Sequence, residues 1–146
     1  MLSGDVIYNP KDLVKLKKKP NSILYTTKHL RLWEYGTMDM EGDVVKFIHE
    51  KDTGPTSNFV NCGAYHFTKD VFRYIRQTPI DKRFNERIIT NTINMMIMDG
   101  FKFTGVYTKY HNEISYPEDI KKIEEILNLS LIHISEPTRP LYISYA

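Results

Sequence analysis

The stretch WEYGTMDMEGDVVKFI, residues 33–48, decides which kind of sheet this chain can form. Its two strand-like runs, residues 33–40 and 44–48, flank the turn Glu41-Gly42-Asp43, and this pattern is typical of a β-hairpin. Strand-like and helix-like segments are mixed along the rest of the chain, which favours a three-layer α/β fold. Because the strands of a hairpin are antiparallel, we expect the sheet to be mixed rather than wholly parallel.

The hydrophobic pattern around the hairpin predicts strands at residues 2–8, 22–27, 59–67, 101–107 and 110–114, and helices at residues 12–18, 69–77, 85–99 and from 117 onward. We expect the first of these strands to be buried on both faces. The helix at residues 85–99 has the clearest pattern, because Ile88, Ile89, Ile93, Met96 and Ile97 form an apolar stripe that Gly100 ends.

The composition is typical of one globular domain. Hydrophobic residues make up 41% of the 146 residues, and the net charge of +2 comes from interspersed charges of both signs. This balance gives no reason to expect nucleic acid or an anionic membrane as a partner. No segment approaches the roughly 20 apolar residues of a membrane span. The single cysteine, Cys62, fits a reducing compartment, so we expect a cytoplasmic protein.

The last residues, LSLIHISEPTRPLYISYA at 129–146, show no clear hydrophobic period. They resemble a translated transposase-type sequencing adapter, with a native tail as the alternative. The chain also begins directly with a strand-like stretch, which suggests an opening lost upstream. We therefore expect residues 1–128 to be a partial catalytic domain and residues 129–146 to be a non-native tail without a role in the fold.

Two charged motifs are candidates for ligand binding. Asp5 follows Gly4 after a short apolar run, and a carboxylate at a strand end could bind Mg²⁺; an ordinary turn aspartate is the alternative. Glu50 and Lys51 follow the second hairpin strand. If the chain bends there, Glu50 could accept hydrogen bonds from hydroxyls while Lys51 contacts a phosphate. A solvated strand end is the alternative for this pair.

Further candidates are weaker when each is taken alone. Gly63 lies inside a strand-like run, which indicates either a bulge or a ligand close to the backbone, with Asn61 bonding its hydroxyls. The Tyr35-Gly36 pair could be a plain bend or a backbone contact to a ligand. Glu86 falls in the first turn of the predicted helix at 85–99, where compensation of the helix dipole is the simple interpretation. Glu113 could be a second metal ligand or an ordinary exposed acid.

The order of these motifs is more informative than any one of them. Gly4-Asp5, Tyr35-Gly36, Glu50-Lys51, Asn61-Cys62-Gly63-Ala64-Tyr65, Glu86, and Glu113 before Pro117-Glu118-Asp119 follow one another along the chain. This order resembles the nucleotidyltransferase family, in particular its sugar-1-phosphate nucleotidylyltransferases of the glucose-1-phosphate thymidylyltransferase type. The resemblance covers the C-terminal part of that catalytic domain. It implies a Rossmann-like three-layer α/β/α sandwich with a mixed sheet, truncated at its N-terminus.

The resemblance also implies an activity. Such enzymes transfer a nucleoside monophosphate from a nucleoside triphosphate to a sugar 1-phosphate, releasing pyrophosphate, with Mg²⁺ as cofactor and sometimes as homo-oligomers. The implied site residues are Asp5 and Lys51 for catalysis, Tyr35, Gly36, Glu50, Lys51, Asn61, Gly63 and Glu86 for substrate binding, and Asp5 and Glu113 for the metal.

Departures from the family pattern leave alternatives open. Asp52 stands where the family usually has Pro, and Glu113 stands where it has Asp. The Gly-Gly-x-Gly-Thr-Arg-type loop that holds the triphosphate is not in this sequence, so we expect this chain alone to be inactive. The alternatives are a phosphocholine-type cytidylyltransferase, suggested by Glu113-Ile114, and a non-catalytic domain that senses a nucleotide-sugar.

Overall fold

The computed structural model describes residues 1–27, 32–51 and 54–134, and its backbone forms seven strands and four α-helices in those ranges. The strands are β1 Val6–Ile7, β2 Ser22–Thr26, β3 Thr37–Glu41, β4 Val44–His49, β5 Val60–His66, β6 Phe103–Tyr107 and β7 Asn112–Glu113. The helices are α1 Pro10–Lys17, α2 Val71–Gln77, α3 Ile89–Met98 and α4 Pro117–Ile134. The chain divides into two compact units, Met1–Asn112 and Glu113–Ala146.

The sheet of the first unit is mixed, as the hairpin predicted. Strand β2 pairs with β6 in parallel and with β5 antiparallel, and the pairs β5–β3, β3–β4 and β4–β6 are all antiparallel. The hydrogen-bonded order β2-β5-β3-β4-β6 therefore closes on itself. Closure requires bent strands, and the register shifts in the β2–β5 and β3–β4 pairs supply irregularities of the kind that bend a strand.

The hairpin itself is present with one correction. Its two strands are joined at Gly42, whose φ of 60° suits a tight turn that few other residues adopt without strain. The first strand begins only at Thr37, because Leu32–Glu34 forms a 3-10 helix. The predicted strand at residues 33–40 was therefore too long at its start.

Two other predicted elements were wrong in extent. Residues 2–8 do not form one buried strand: a turn at Gly4-Asp5 separates the isolated bridge of Leu2 to Ala64 from β1. The long helix begins at Ile89 rather than at residue 85. Asn85 has a φ of 54°, a left-handed conformation that a helix cannot contain, so Glu86 precedes the helix instead of lying in its first turn.

The core of the first unit has two parts. Ile23 of β2 packs with residues of β4, α2, α3 and β6, whereas the next residue, Leu24, packs with Leu16 of α1, Cys62 and Val106. Successive strand residues point to opposite faces of a sheet, so β2 is covered on both faces. Because both faces of β2 are covered, four of its five residues, Ser22–Thr26, are buried and the other one is half-buried.

The second unit contains helix α4. Asp119 accepts hydrogen bonds from the backbone N–H groups of Ser115 and Tyr116, at 3.0 and 2.9 Å, and so satisfies donors at the start of this helix. The helix continues to Ile134, six residues into the predicted tail, and residues 135–146 of that tail lie outside the described residues. Within residues 1–27, 32–51 and 54–134, none of the helices combines the length and the apolar character of a membrane-spanning segment.

Candidate functional site

Glu50 lies just beyond the end of β4, where its side chain is bonded to helix α3. The strand ends at His49, and the hydroxyl of Thr90 donates a hydrogen bond to Oε1 of the half-buried Glu50. Lys51 is exposed, and its carbonyl accepts a bond from the N–H of Gly54 at 3.4 Å. Successive side chains of a strand point to opposite faces of the sheet. Glu50 and Lys51 both lie past the end of β4, so this rule does not force their side chains to opposite faces.

Asn61 of β5 is held at both ends of its amide. Its Nδ2 donates to the hydroxyl oxygen of Tyr65 at 2.8 Å, and its Oδ1 accepts from the N–H of Gly63 at 3.1 Å. An amide side chain has two N–H donors and a carbonyl with two lone pairs. These two bonds therefore fix the orientation of Asn61 and leave capacity for a hydroxyl-bearing ligand.

Tyr65 links Asn61 to Glu50 electrostatically. The pKa of the Tyr65 hydroxyl is raised, because the buried side chain cannot easily carry charge; the bond from Asn61 opposes this rise, and the negative charge of Glu50 adds to it. Tyr65 consequently keeps its proton at neutral pH. Glu50 thus acts electrostatically on the hydroxyl that accepts the bond from Asn61, and we call Glu50, Tyr65 and Asn61 the Glu50 cluster.

The backbone at Gly63 is a bulge. The β2–β5 register passes from Ile23↔Tyr65 to Tyr25↔Asn61, so β5 has extra residues at this point. Gly63 has a φ of 68°, and a Cβ there would lie 2.9 Å from the Cβ of Ser3. The bulge alternative is therefore confirmed, and the atom that requires glycine here belongs to the chain itself. Contact of Gly63 with a ligand stays a prediction.

Gly36 lies beside the same cluster. Its carbonyl accepts a hydrogen bond from the N–H of Asn61 at 2.9 Å. A Cβ at Gly36 would be 3.1 Å from the carbonyl oxygen of His49, the residue before Glu50. The close approach of the β3, β4 and β5 backbones therefore brings the Tyr-Gly, Glu-Lys and Asn-x-Gly motifs together, although they are far apart in sequence.

Asp5 is connected to this region through Ser3. The Ser3 hydroxyl donates to Oδ1 of Asp5 at 2.6 Å, and the Ser3 N–H donates to the carbonyl of Gly63 at 2.9 Å. Asp5 itself is exposed in the Gly4-Asp5 turn and precedes β1. The expectation that it ends a strand was wrong, because the turn interrupts residues 2–8. Its exposed carboxylate is nonetheless oriented by Ser3, whose N–H is bonded to Gly63, the residue that forms the bulge.

The remaining predicted residues have other surroundings. The Tyr35 ring contacts the His111 ring edge-on, with 5.5 Å between centroids. Glu86 is exposed, and its carbonyl accepts from the N–H of Asp81 in the loop before α3. Glu113 is half-buried and is the first residue of the second unit, so it is described by itself. Asp52, the departure from the family pattern, lies outside the described residues.

Sequence reasoning missed the polar residues on the buried side of α3. Thr90, bonded to Glu50, is 4% exposed, and Asn94, one helical turn later, is 7% exposed. The Asn94 amide accepts from the N–H of Ile48 and donates to its carbonyl, both at 2.8 Å. Their spacing of four residues within an apolar helix was the available signal, since such residues share one helix face.

An open cleft in the described part of the chain lies elsewhere. It measures about 650 Å³ and lies between Phe47 of β4, the segment after α2 and the side of α3 that carries Asn91 and Met98. The residues that line it include none of the predicted site residues. We assign the candidate site to the Glu50 cluster, because the hydrogen-bonded polar groups converge there and the cleft is mostly apolar.

The described residues contain no group of three or more His, Cys, Asp and Glu side chains that could hold a metal ion. A magnesium ion does not require such a group, because one or two carboxylates together with phosphate oxygens and water satisfy it. The exposed carboxylate of Asp5 is compatible with that mode of binding.

Comparison with known protein sequences gives a consistent result. The family described as "Nucleotidyl transferase" matches residues 1–130. The chain is 29% identical over 131 residues to the "Bifunctional protein GlmU" of Methanocaldococcus jannaschii, covering 87% of this chain and 31% of that protein. It is 28% identical over 123 residues to the "Bifunctional sugar-1-phosphate nucleotidylyltransferase/acetyltransferase" of Sulfurisphaera tokodaii, covering 82% and 30%. The chain thus spans about a third of these curated relatives.

Solved structures share the fold at low sequence identity. A UDP-glucose pyrophosphorylase complexed with UDP-glucose superposes with a TM-score of 0.67 at 19% identity, covering 86% of this chain and 53% of that one. A nucleoside-diphosphate-sugar pyrophosphorylase from Vibrio cholerae RC9 superposes with a TM-score of 0.61 at 15% identity, covering 83% and 53%. These likenesses show that the mixed α/β arrangement is that of nucleotidyltransferase structures.

Proposed function

The chain belongs to the nucleotidyl transferase family, and on that premise we propose the activity of the whole protein. It transfers a nucleoside monophosphate from a nucleoside triphosphate to a sugar 1-phosphate, releases pyrophosphate and forms a nucleotide-sugar. The two curated relatives support this proposal, since one of them is described as a sugar-1-phosphate nucleotidylyltransferase. Both are much longer than this chain, so the activity is assigned to the whole protein.

One observation carries the assignment of the sugar site: three motifs that are distant in sequence meet at the ends of three strands. Gly36, Glu50 and Asn61 are linked by the bond from Asn61 N–H to Gly36 and by the shared influence of Glu50 and Asn61 on Tyr65. Oriented carboxylate and amide groups are suited to recognising several hydroxyls. Such an arrangement favours a sugar over an apolar ligand.

The residues of this chain act mainly by binding and orientation. Glu50 accepts hydrogen bonds from sugar hydroxyls, and the exposed ammonium of Lys51 attracts the sugar phosphate. The phosphate monoester then attacks the α-phosphate of the triphosphate in line. A protein nucleophile is not required, because fixing the two substrates in this geometry removes most of the entropic cost of bringing them together.

Asp5 is our candidate magnesium ligand. Its exposed carboxylate presents the hard oxygen donor that this ion prefers, and the bond from Ser3 orients it. Bound Mg²⁺ would neutralise charge on the phosphates. Glu113 as a second ligand, and Tyr35, Gly63 and Glu86 as further substrate contacts, remain predictions from the family resemblance.

We propose four further properties of this chain and of the whole protein. Its catalytic domain is a three-layer α/β/α sandwich, and residues 1–128 form part of that domain. The packing of apolar side chains on both faces of β2 supports this layering. Residues 129–146 are an adapter-derived tail without a catalytic role. The protein acts in the cytoplasm, and the full-length protein can form a homo-oligomer.

The sugar site is tested by Glu50→Ala in the whole protein. We expect the KM for glucose 1-phosphate to rise about 10- to 100-fold, because a charge-assisted set of hydrogen bonds to the sugar is lost. The KM for the nucleoside triphosphate should stay within about twofold, since Glu50 is assigned to the sugar alone. Pyrophosphate release at varied concentrations of each substrate measures both constants.

Glu41→Ala is the matched control for that measurement. Glu41 lies on the same hairpin and forms an exposed ion pair with Lys46, so its removal should leave both KM values unchanged. An unchanged KM for glucose 1-phosphate in Glu50→Ala would mean that Glu50 does not bind the sugar. Turnover of phosphocholine with no turnover of sugar 1-phosphates would identify the cytidylyltransferase alternative instead.

A further inference from the structure

We propose that Thr90 is a positioning residue, which holds the Glu50 carboxylate in the orientation that receives the sugar hydroxyls. This inference rests on the proposed function and extends it to a residue of α3 that has no assigned role. Thr90 does not need to touch the substrate. It would act through Glu50, 40 residues earlier in the chain.

The contact itself is specific. Thr90 is 4% exposed, and its single hydroxyl donates to Oε1 of Glu50. A buried hydroxyl that lacked a partner would be unfavourable, so this bond determines the Thr90 rotamer as well as the position of Oε1. A carboxylate offers about four acceptor positions, so one bond from Thr90 is compatible with further bonds from sugar hydroxyls.

Helix α3 is itself fixed to the strand that carries Glu50. Asn94, four residues after Thr90, bonds both backbone groups of Ile48 at 2.8 Å. Thr90 and Asn94 lie on the same helix face. Asn94 therefore anchors the end of β4, and Thr90 anchors the carboxylate of Glu50, two residues beyond Ile48. A site held by a helix and a strand is more rigid than one held by a loop.

This rigidity has a consequence for binding. A free glutamate side chain samples many rotamers, and a ligand that selects one of them binds more weakly. The Thr90 bond restricts Glu50 before the sugar arrives. Loss of the hydroxyl should therefore weaken sugar binding without affecting the triphosphate, and the effect should disappear when Glu50 is absent.

The test uses Thr90→Val, which keeps the side-chain volume, and Thr90→Ser, which keeps the hydroxyl, in the whole protein. We expect Thr90→Val to raise the KM for glucose 1-phosphate about tenfold, with the KM for the nucleoside triphosphate unchanged. Thr90→Ser should remain within about threefold of the wild type. If Thr90→Val does not fold, as judged by circular dichroism, Thr90→Ala replaces it with the same expectation.

Thr92→Val is the matched control. Thr92 is a buried threonine of the same helix, and its hydroxyl bonds that of Thr78 at 2.7 Å. The same chemical change there should leave the KM for the sugar phosphate unaltered. An equal rise of KM in Thr92→Val and Thr90→Val would mean a general disturbance of α3 and would overturn the proposal.

A double-mutant cycle provides the decisive comparison. In a Glu50→Ala background, Thr90→Val should produce no further change in the KM for glucose 1-phosphate, because the residue through which it acts is gone. A full tenfold effect in that background would overturn the positioning role. If the wild-type protein turns over no sugar 1-phosphate, the proposed function fails as well. If the wild-type protein does turn over sugar 1-phosphates, and Thr90→Val has the same KM for glucose 1-phosphate as the wild type, only this inference fails.

Discussion

Gly63 shows how one residue can satisfy a backbone requirement inside a strand. Its positive φ of 68° creates the β5 bulge, and the space where a Cβ would lie is taken by Ser3. The bulge in turn places the Gly63 N–H against Asn61 and the Gly63 carbonyl against Ser3. The sequence identified Gly63 as unusual, and its partner Ser3 could be found only in the fold.

At the residue scale we predict that Gly63→Ala destabilises the chain by about 2–4 kcal/mol, because strain at positive φ adds to a clash. Gly42→Ala is the control, since Gly42 has a similar φ of 60° with no atom within 4 Å of the added Cβ. Only the conformational strain of about 1 kcal/mol should appear there. Urea unfolding measures both changes, and equal losses would contradict the role of Ser3.

Helix α3 shows the limit of hydrophobic periodicity at the element scale. The predicted apolar stripe contains Ile93 and Met96, which are fully buried, but Thr90, Thr92 and Asn94 are buried as well. Each of these polar residues has a hydrogen-bond partner in another segment of the chain. Periodicity detects an apolar face, whereas polar contacts inside that face depend on what packs against it.

The bond between α3 and β4 should contribute strongly to stability. We predict that Asn94→Ala lowers the free energy of unfolding by about 2–4 kcal/mol, because the N–H and carbonyl of the buried Ile48 would both lose their partner. Asn91→Ala, a change at a half-buried asparagine of the same helix, should cost about 1 kcal/mol or less. A similar loss in the two variants in urea unfolding would show that Asn94 has no special role.

At the scale of the whole molecule, distant segments are joined by a buried carboxylate. Asp12 of α1 is 5% exposed and accepts bonds from Lys15 and from the Thr108 hydroxyl, both at 2.8 Å. Thr108 follows β6, 96 residues later in the chain. Burial opposes the charge on Asp12, but these two bonds and the charge of Lys15 outweigh it, so the pKa of Asp12 is lowered.

This arrangement predicts a pH dependence of stability. A carboxylate whose pKa is lower in the folded state stabilises the fold above its ordinary pKa of 3.8, and this stabilisation is lost as the pH falls through the lower folded value. The wild type should therefore be more stable than Asp12→Asn at pH 7, and the difference should shrink below about pH 4. Urea unfolding at several pH values tests this, and a difference independent of pH would contradict it.

Much of the architecture follows from the sequence because local patterns are strong. The hairpin, the strands at residues 22–26, 60–66 and 103–107, and the mixed sheet depend on alternation, turn residues and chain breaks that any segment carries by itself. Element ends were less certain: the turn at Gly4-Asp5 and the left-handed Asn85 shortened two predictions, since a few backbone angles decide where an element stops.

The sequence alone thus determined the family resemblance, the mixed α/β class and the candidate residues Glu50 and Asn61. Only the tertiary structure decided that Thr90 bonds Glu50, that Ser3 fills the space beside Gly63 and that Asp12 meets Thr108. These contacts join residues 40 to 96 positions apart. Periodicity and turn chemistry act over a few residues, so partners at such separations are chosen by packing of the complete chain.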